Sequence, residues 1–154
     1  MTFKLLSKAA LALAAMGLCL SAASAAYKSE YKLSVVPGAS SGWGQTATFF
    51  ADCVRQKSNG RINIKPYFGA QLMAGKQTSE LLLVRRGAID FALASTINWS
   101  PQIKELNLTA LPFFVANNPD RYKAIDAIEA GKSGKMLEKA IEKTGVKFLG
   151  WSEN

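Results

Sequence analysis

The sequence predicts an α/β domain with a mostly parallel central sheet flanked by helices. Two observations carry this. Short β-prone runs alternate with stretches of three- and four-residue apolar periodicity, in the order β-α-β-α-β, then helices, then β. One of those runs, Ile89 to Ala94, is apolar at every position except Asp90, as suits a strand covered on both faces.

The chain opens with a segment that belongs to no fold. Lys4 and Lys8 precede an apolar run from Ala9 to Leu20, closed by the small residues Ser21 to Ala26. This is the order of a secretory signal peptide. The small side chains of Ala23 and Ala25 suit the signal peptidase pockets, so cleavage is expected after Ala25 or Ala26. The run is shorter than the roughly 20 residues a membrane span requires. Cys19 follows Leu18 rather than Gly or Ala, which argues against a lipoprotein. Residues 1–25 read as an address for export from the cytoplasm, and 26–154 as the working domain.

Tyr31 to Val36 alternates and reads as the first strand, ended by Pro37-Gly38. Residues 43–57 read as a helix, with Trp43, Ala47, Phe50, Ala51 and Val54 on one stripe and Ser58-Asn59-Gly60 as its stop. Ile62 to Lys65 reads as a second strand with Pro66 at its end. Lys76 to Arg86 reads as a helix closed by Gly87, and Ile89 to Ala94 as the third strand. Ser95 to Phe114, punctuated by Pro101 and Pro112, is irregular. Asn118-Pro119-Asp120 reads as a helix start with Asn118 as the cap, and Tyr122, Ile125 and Ile128 form the apolar face. Ser133 is expected to cap a further helix, with Met136, Leu137, Ala140 and Ile141 inward and Gly145 as its stop. Val146 to Trp151 reads as a last strand.

Composition narrows the chemistry. Removing Lys4 and Lys8 leaves 17 basic and 11 acidic residues, a net charge of +6. No basic run exceeds Arg85-Arg86, which argues against nucleic acid. The chain has no histidine, so the commonest general base and zinc ligand are absent, and histidine-dependent nucleophile systems are excluded. Cys53, the one cysteine beyond the leader, sits among Phe49, Phe50 and Val54 and reads as a packed thiol. The turn from Gly69 to Gly75 lacks the Gly-Lys-Ser/Thr ending of a phosphate loop. No cofactor or metal is expected.

Four segments resemble a known family. Gly60-Arg61-Ile62 through Phe68-Gly69-Ala70-Gln71-Leu72, Arg86-Gly87-Ala88-Ile89-Asp90-Phe91-Ala92, Leu111-Pro112-Phe113-Phe114 and Leu149-Gly150-Trp151-Ser152-Glu153-Asn154 occur in this order. Together they resemble the substrate-binding subunit of TRAP transporters, the DctP family. The resemblance covers nearly all of 26–154 and implies a periplasmic-binding-protein-like lobe. Family members are longer, with two lobes joined by crossing segments, so 26–154 is expected to be the N-terminal lobe, apparently truncated. The arginine that clamps the ligand carboxylate lies in the family's second lobe, and the resemblance assigns that role to no residue here. It implies capture of a small organic acid and delivery to membrane permease subunits, with no chemistry on the solute.

Ligands of open α/β sheets sit beyond the carboxyl ends of the strands. The sequence therefore nominates Ser40 and Trp43 after the first strand, Ser95, Thr96 and Trp99 after the third, Phe113 in the irregular stretch, and Trp151 and Asn154 after the last. Each also has a structural reading: Trp43, Trp99 and Phe113 as core, Ser95 and Thr96 as turn formers. Asp90 is expected to cap a helix or partner backbone rather than ligand. A sensing module that reports to a receptor, or a fragment without function, competes with transport. A secreted enzyme is disfavoured because Asp90, Glu105 and Glu153 are scattered, without paired spacing.

Overall fold

The computed structural model of the chain describes residues 27–111, 115 and 118–152. The leader, Phe113, Glu153 and Asn154 lie outside these. Three parallel strands form the sheet: β1 (Tyr31–Val35), β2 (Ile64–Tyr67) and β3 (Phe91–Leu93), in the order β2-β1-β3. Register pairs Leu33 with Pro66 on one side and with Phe91 on the other. Parallel neighbours need crossover connections. These are α1 (Gly42–Lys57) between β1 and β2, and the stretch holding α2 (Glu80–Arg85).

Alternation along β1 divides the core between two faces. Leu33 and Val35 are buried with Ala47 and Ala51 of α1 and Ile64 of β2, and Trp43, Phe50, Phe91 and Leu93 pack around them. The rings of Phe50 and Phe91 meet edge-on at 5.9 Å. Ser34 points the other way. On that side Leu81 of α2 and Trp99 of α3 (Thr96–Trp99) pack with Ile103, Leu106 and three residues of α5 (Lys132–Glu142): Leu137, Ala140 and Ile141. The half-buried β3 serves both clusters, Phe91 and Leu93 on one face, Ala92 and Ala94 on the other. Helix α4 (Arg121–Ala130) buries no residue fully.

Several boundaries differ from the sequence reading. β2 runs through Pro66, which an edge strand accepts because its absent N–H can fall on the unpaired side. The helix expected over Lys76–Arg86 is α only from Glu80; Gln77–Ser79 is a 3₁₀ turn. Asp120, not Asn118, caps α4 and accepts from the Lys123 amide at 3.0 Å. Ser133 lies inside α5, whose cap position is Gly131. Tyr122 and Met136 are exposed, not inward. Val146 to Trp151 forms no strand: among the described residues it joins no ladder. It keeps the alternation of one, with Val146 and Phe148 packed on the α5 cluster and Lys147 and Leu149 outward. Its period-two pattern records a buried face, which hydrophobic packing satisfies without a hydrogen-bonded neighbour.

One glycine lets α1 approach the loop after β1. A Cβ on Gly44 would stand 2.4 Å from the Ala39 carbonyl oxygen and 2.6 Å from that of Gly38, whereas one on Gly42 would meet nothing within 4 Å. Gly44→Ala is therefore expected to cost about 1–3 kcal/mol, the usual range for overpacking. Chemical denaturation checks this, with Gly42→Ala as the near-neutral control.

Candidate functional site

Because all three strands are parallel, their carboxyl ends share one edge, and three loops meet there. The first, after β1, is built around Ser41. Its hydroxyl donates to the Gly38 carbonyl at 2.6 Å and accepts from the Gly44 amide at 3.0 Å, capping α1. The first amides of a helix have no intrahelical partner and favour negative charge, and α1 opens on this edge. The second loop, after β2, is tied to the first: the Gly69 amide donates to the Pro37 carbonyl at 3.1 Å. The third follows β3 and is linked to the second by Asn98, whose side-chain amide donates to Gln77 Oε1 at 2.9 Å.

The predicted site residues distribute unevenly over this edge. Ser40 is exposed, with its carbonyl taken by the Gln45 side chain at 3.3 Å. Trp43 is half-buried against the α1 cluster, and its indole Nε1 is buried without a hydrogen-bond partner. Ser95 is half-buried and caps α3, accepting from the Ile97 amide at 3.3 Å. The Thr96 and Thr109 hydroxyls meet at 2.9 Å. Trp151 leans on Phe148 with centroids 4.8 Å apart, inside the α5 cluster rather than on a loop rim. Ser40, Ser95 and Thr96 thus stay on the edge beside the partly packed Trp43. Phe113 and Asn154 lie outside the described residues.

Trp99 requires a correction. It is only 8% exposed, and its indole N–H donates to Glu80 Oε2 at 3.1 Å. It is a core residue that anchors α3 from beneath, not a ligand-facing ring. The sequence placed it in an irregular stretch with no stripe to join; the stripe it joins is made by distant residues, Leu81, Leu137 and Ile141.

Glu80 is the residue that sequence reasoning missed. It is fully buried, and its second oxygen accepts from the Ser34 hydroxyl at 2.5 Å. Burial pushes its carboxyl above the usual value, against the opposing effect of the Ser34 and Trp99 hydrogen bonds. A polar Glu among Leu81, Leu82 and Leu83 resembles the outer face of a helix, so no local signal marks it. Asp90 behaves as expected: its carboxylate accepts from the Lys32 amide at 2.9 Å and pairs with Lys28 at the opposite, amino edge of the sheet. Burial raises its carboxyl, yet Lys28 and the Lys32 amide outweigh this and hold it below the ordinary range.

A groove of about 370 Å³ lies elsewhere, lined by Glu105, by Lys132, Lys135, Met136 and Lys139 of α5, and by Lys143 just past its end. It contains none of the predicted site residues. No helix among the described residues is long and apolar enough to cross a membrane.

Residues 33–154 match the model of DctP, the bacterial extracellular solute-binding proteins of family 7. The chain belongs to this family. Among DctP-family relatives, a solute-binding protein of Chromohalobacter salexigens is 30% identical over 108 residues, 70% of this chain and 30% of its own length. The C4-dicarboxylate-binding periplasmic protein DctP of Rhodobacter capsulatus is 26% identical over 141 residues, 91% of this chain and 40% of its own. A crystal structure of a TRAP periplasmic solute binding protein from Ralstonia eutropha H16, with bound (S)-2-acetolactate, aligns at TM-score 0.73 and 53% identity. That alignment covers 79% of this chain and 37% of the other. The chain therefore spans well under half the length of these relatives.

The Glu80 network yields a prediction with a definite sign. A carboxyl whose folded pKa is raised holds its proton longer in the folded state. Stability then falls as pH rises from the unfolded value, 4.5, through the raised folded one. Glu80→Gln should flatten that part of the stability-pH curve, its carbonyl accepting from the Trp99 indole and its amide donating to the Ser34 hydroxyl oxygen. Glu80→Ala strands two buried donors and should cost about 3 kcal/mol at neutral pH. Denaturant melts of the three proteins from pH 4 to 8 check both.

Proposed function

We propose that this chain is the ligand-capturing component of a TRAP-type secondary transporter: residues 26–154 form the N-terminal lobe that receives a small organic acid and presents it to the membrane permease subunits. Residues 1–25 direct export, the lobe works in the periplasm, and the solute leaves unchanged, so the protein is no enzyme. The observation that carries this reading is the 53% identity, across the lobe bearing the three edge loops, to a TRAP protein holding (S)-2-acetolactate. That match favours a short hydroxy- or oxo-acid as the solute class. The geometry is compatible: three loops of a parallel sheet converge at one edge, with the amide-rich start of α1 beside them. Ser40, Trp43, Ser95 and Thr96 supply hydroxyls and a ring for the uncharged part of such a molecule, and the sequence offers Phe113 and Asn154 as further candidates.

The chain covers a minor share of its relatives' length, so a wall is tested rather than a closed pocket, and affinity in the millimolar range is the expectation. Titrating the ¹⁵N-labelled chain with (S)-2-acetolactate, succinate and galacturonate should move the amide resonances of Ser40, Trp43, Ser95 and Thr96, most strongly for the hydroxy-oxo acid. Shifts confined to the α5 lysines, or none at saturating acid, would overturn the reading.

A further inference from the structure

The three edge loops are almost devoid of charge. Across residues 36–51, 68–79 and 94–103 the only Asp, Glu, Lys or Arg is Lys76. The described end of the fourth segment, 149–152, has none. An organic acid that met only hydroxyls, rings and amides on this wall would find no formal counter-charge there but this one.

The backbone that delivers Lys76 is unusually constrained. Gly69 and Gly75 adopt left-handed conformations, and so do Ala70 and Ala74, at φ of 56° and 48°. Left-handed alanines carry a steric penalty and persist only where the surroundings hold them, a pattern that collects at ligand clamps. Here the surroundings are specific. Ala70 and Met73 are buried with Ile89, and the Ala70 amide donates to the Val35 carbonyl at 3.4 Å. The Lys76 amide donates to the Met73 carbonyl at 3.0 Å. Immediately beyond, Gln77 accepts from Asn98, and the Thr78 carbonyl accepts from the Gln102 side chain at 2.9 Å. The Lys76 backbone is thus pinned between the first and third loops.

Its side chain is left available. Lys76 is exposed and enters none of the four ion pairs found among the described residues. The two acids nearest in sequence are otherwise occupied: Glu80 is buried with Ser34 and Trp99, and Asp90 pairs with Lys28 at the other edge. We infer that Lys76 is a ligand-binding residue, the ammonium that this lobe contributes to the carboxylate of the captured acid. Lysine is a compact point charge on a flexible stem, with less geometric demand than a guanidinium fork. It suits a first encounter with the anion on an open wall.

This inference rests on the solute-binding reading, and the test separates the two. The probes are (S)-2-acetolactate and its uncharged methyl ester, titrated into wild type, Lys76→Gln and Lys76→Arg with amide shifts as the readout. The acid should bind Lys76→Gln about tenfold more weakly, as removal of a paired charge does. Lys76→Arg should stay within about threefold of wild type, the ester should bind all three alike, and added salt should weaken wild type more than Lys76→Gln. Melting temperatures should coincide, since the side chain is exposed. If wild type binds the acid and Lys76→Gln matches it within about twofold, the assignment of Lys76 falls while the function stands. If wild type does not bind the acid at all, both fall.

Discussion

The carboxyl group of Glu80 sits where the sheet, α2 and α3 converge, and it holds them through two hydrogen bonds. Ser34 reaches it from the central strand, and Trp99 from the last residue of α3. A carboxyl removed from water is costly unless its lone pairs are met. Once met, it fixes the relative positions of its donors more tightly than apolar contact does, because hydrogen bonds have direction. The consequence travels upward. With Trp99 tethered below, the short helix that Ser95 caps is set against the end of β3, and the Ser95 and Thr96 hydroxyls take their places on the edge. Loop chemistry at the surface therefore depends on one polar contact in the interior.

The two edges of the sheet divide the charge between them. At the amino edge, Asp90 pairs with Lys28 and accepts from the Lys32 amide, while Glu30 accepts from the Tyr67 hydroxyl at 2.5 Å and pairs with Lys65 at 3.5 Å. The Tyr67 hydrogen bond, with Lys65 beside it, holds the Glu30 carboxyl below its ordinary value. At the carboxyl edge the loops are nearly neutral, and Gly44 lets α1 approach the backbone of the first loop. Among the described residues of the edge loops, an anion would meet oriented dipoles and one cation, Lys76, and no carboxylate.

Family membership and physical reading come from different grounds. The parallel sheet puts all strand ends on one side whatever the protein's ancestry. The DctP match adds that homologous chains carry solutes, and the Ralstonia structure shows one such chain with a small hydroxy-oxo acid. The α5 groove, with its lysines, stands apart from that edge. Its lining residues lie on one solvated helix face beside Glu105, without the buried polar partners that mark a built site.

Sequence periodicity determined the alternating α/β order and the course of β1 and α1, because each depends on residues close together in the chain, and motifs read in order carried the resemblance to the DctP family. Ser40, Ser95 and Thr96 were legible at the edge for the same reason: a residue just past a parallel strand has nowhere else to be. Tertiary structure decided the rest. Whether Val146 to Trp151 pairs as a strand depends on a neighbour's free edge, which its own alternation cannot report. Whether Trp99 faces ligand or core depends on Glu80 and on α5, some forty residues away. Glu80 itself looks like a solvated helix residue until the fold buries it, since a carboxyl's environment is set by what packs over it and not by its sequence neighbours.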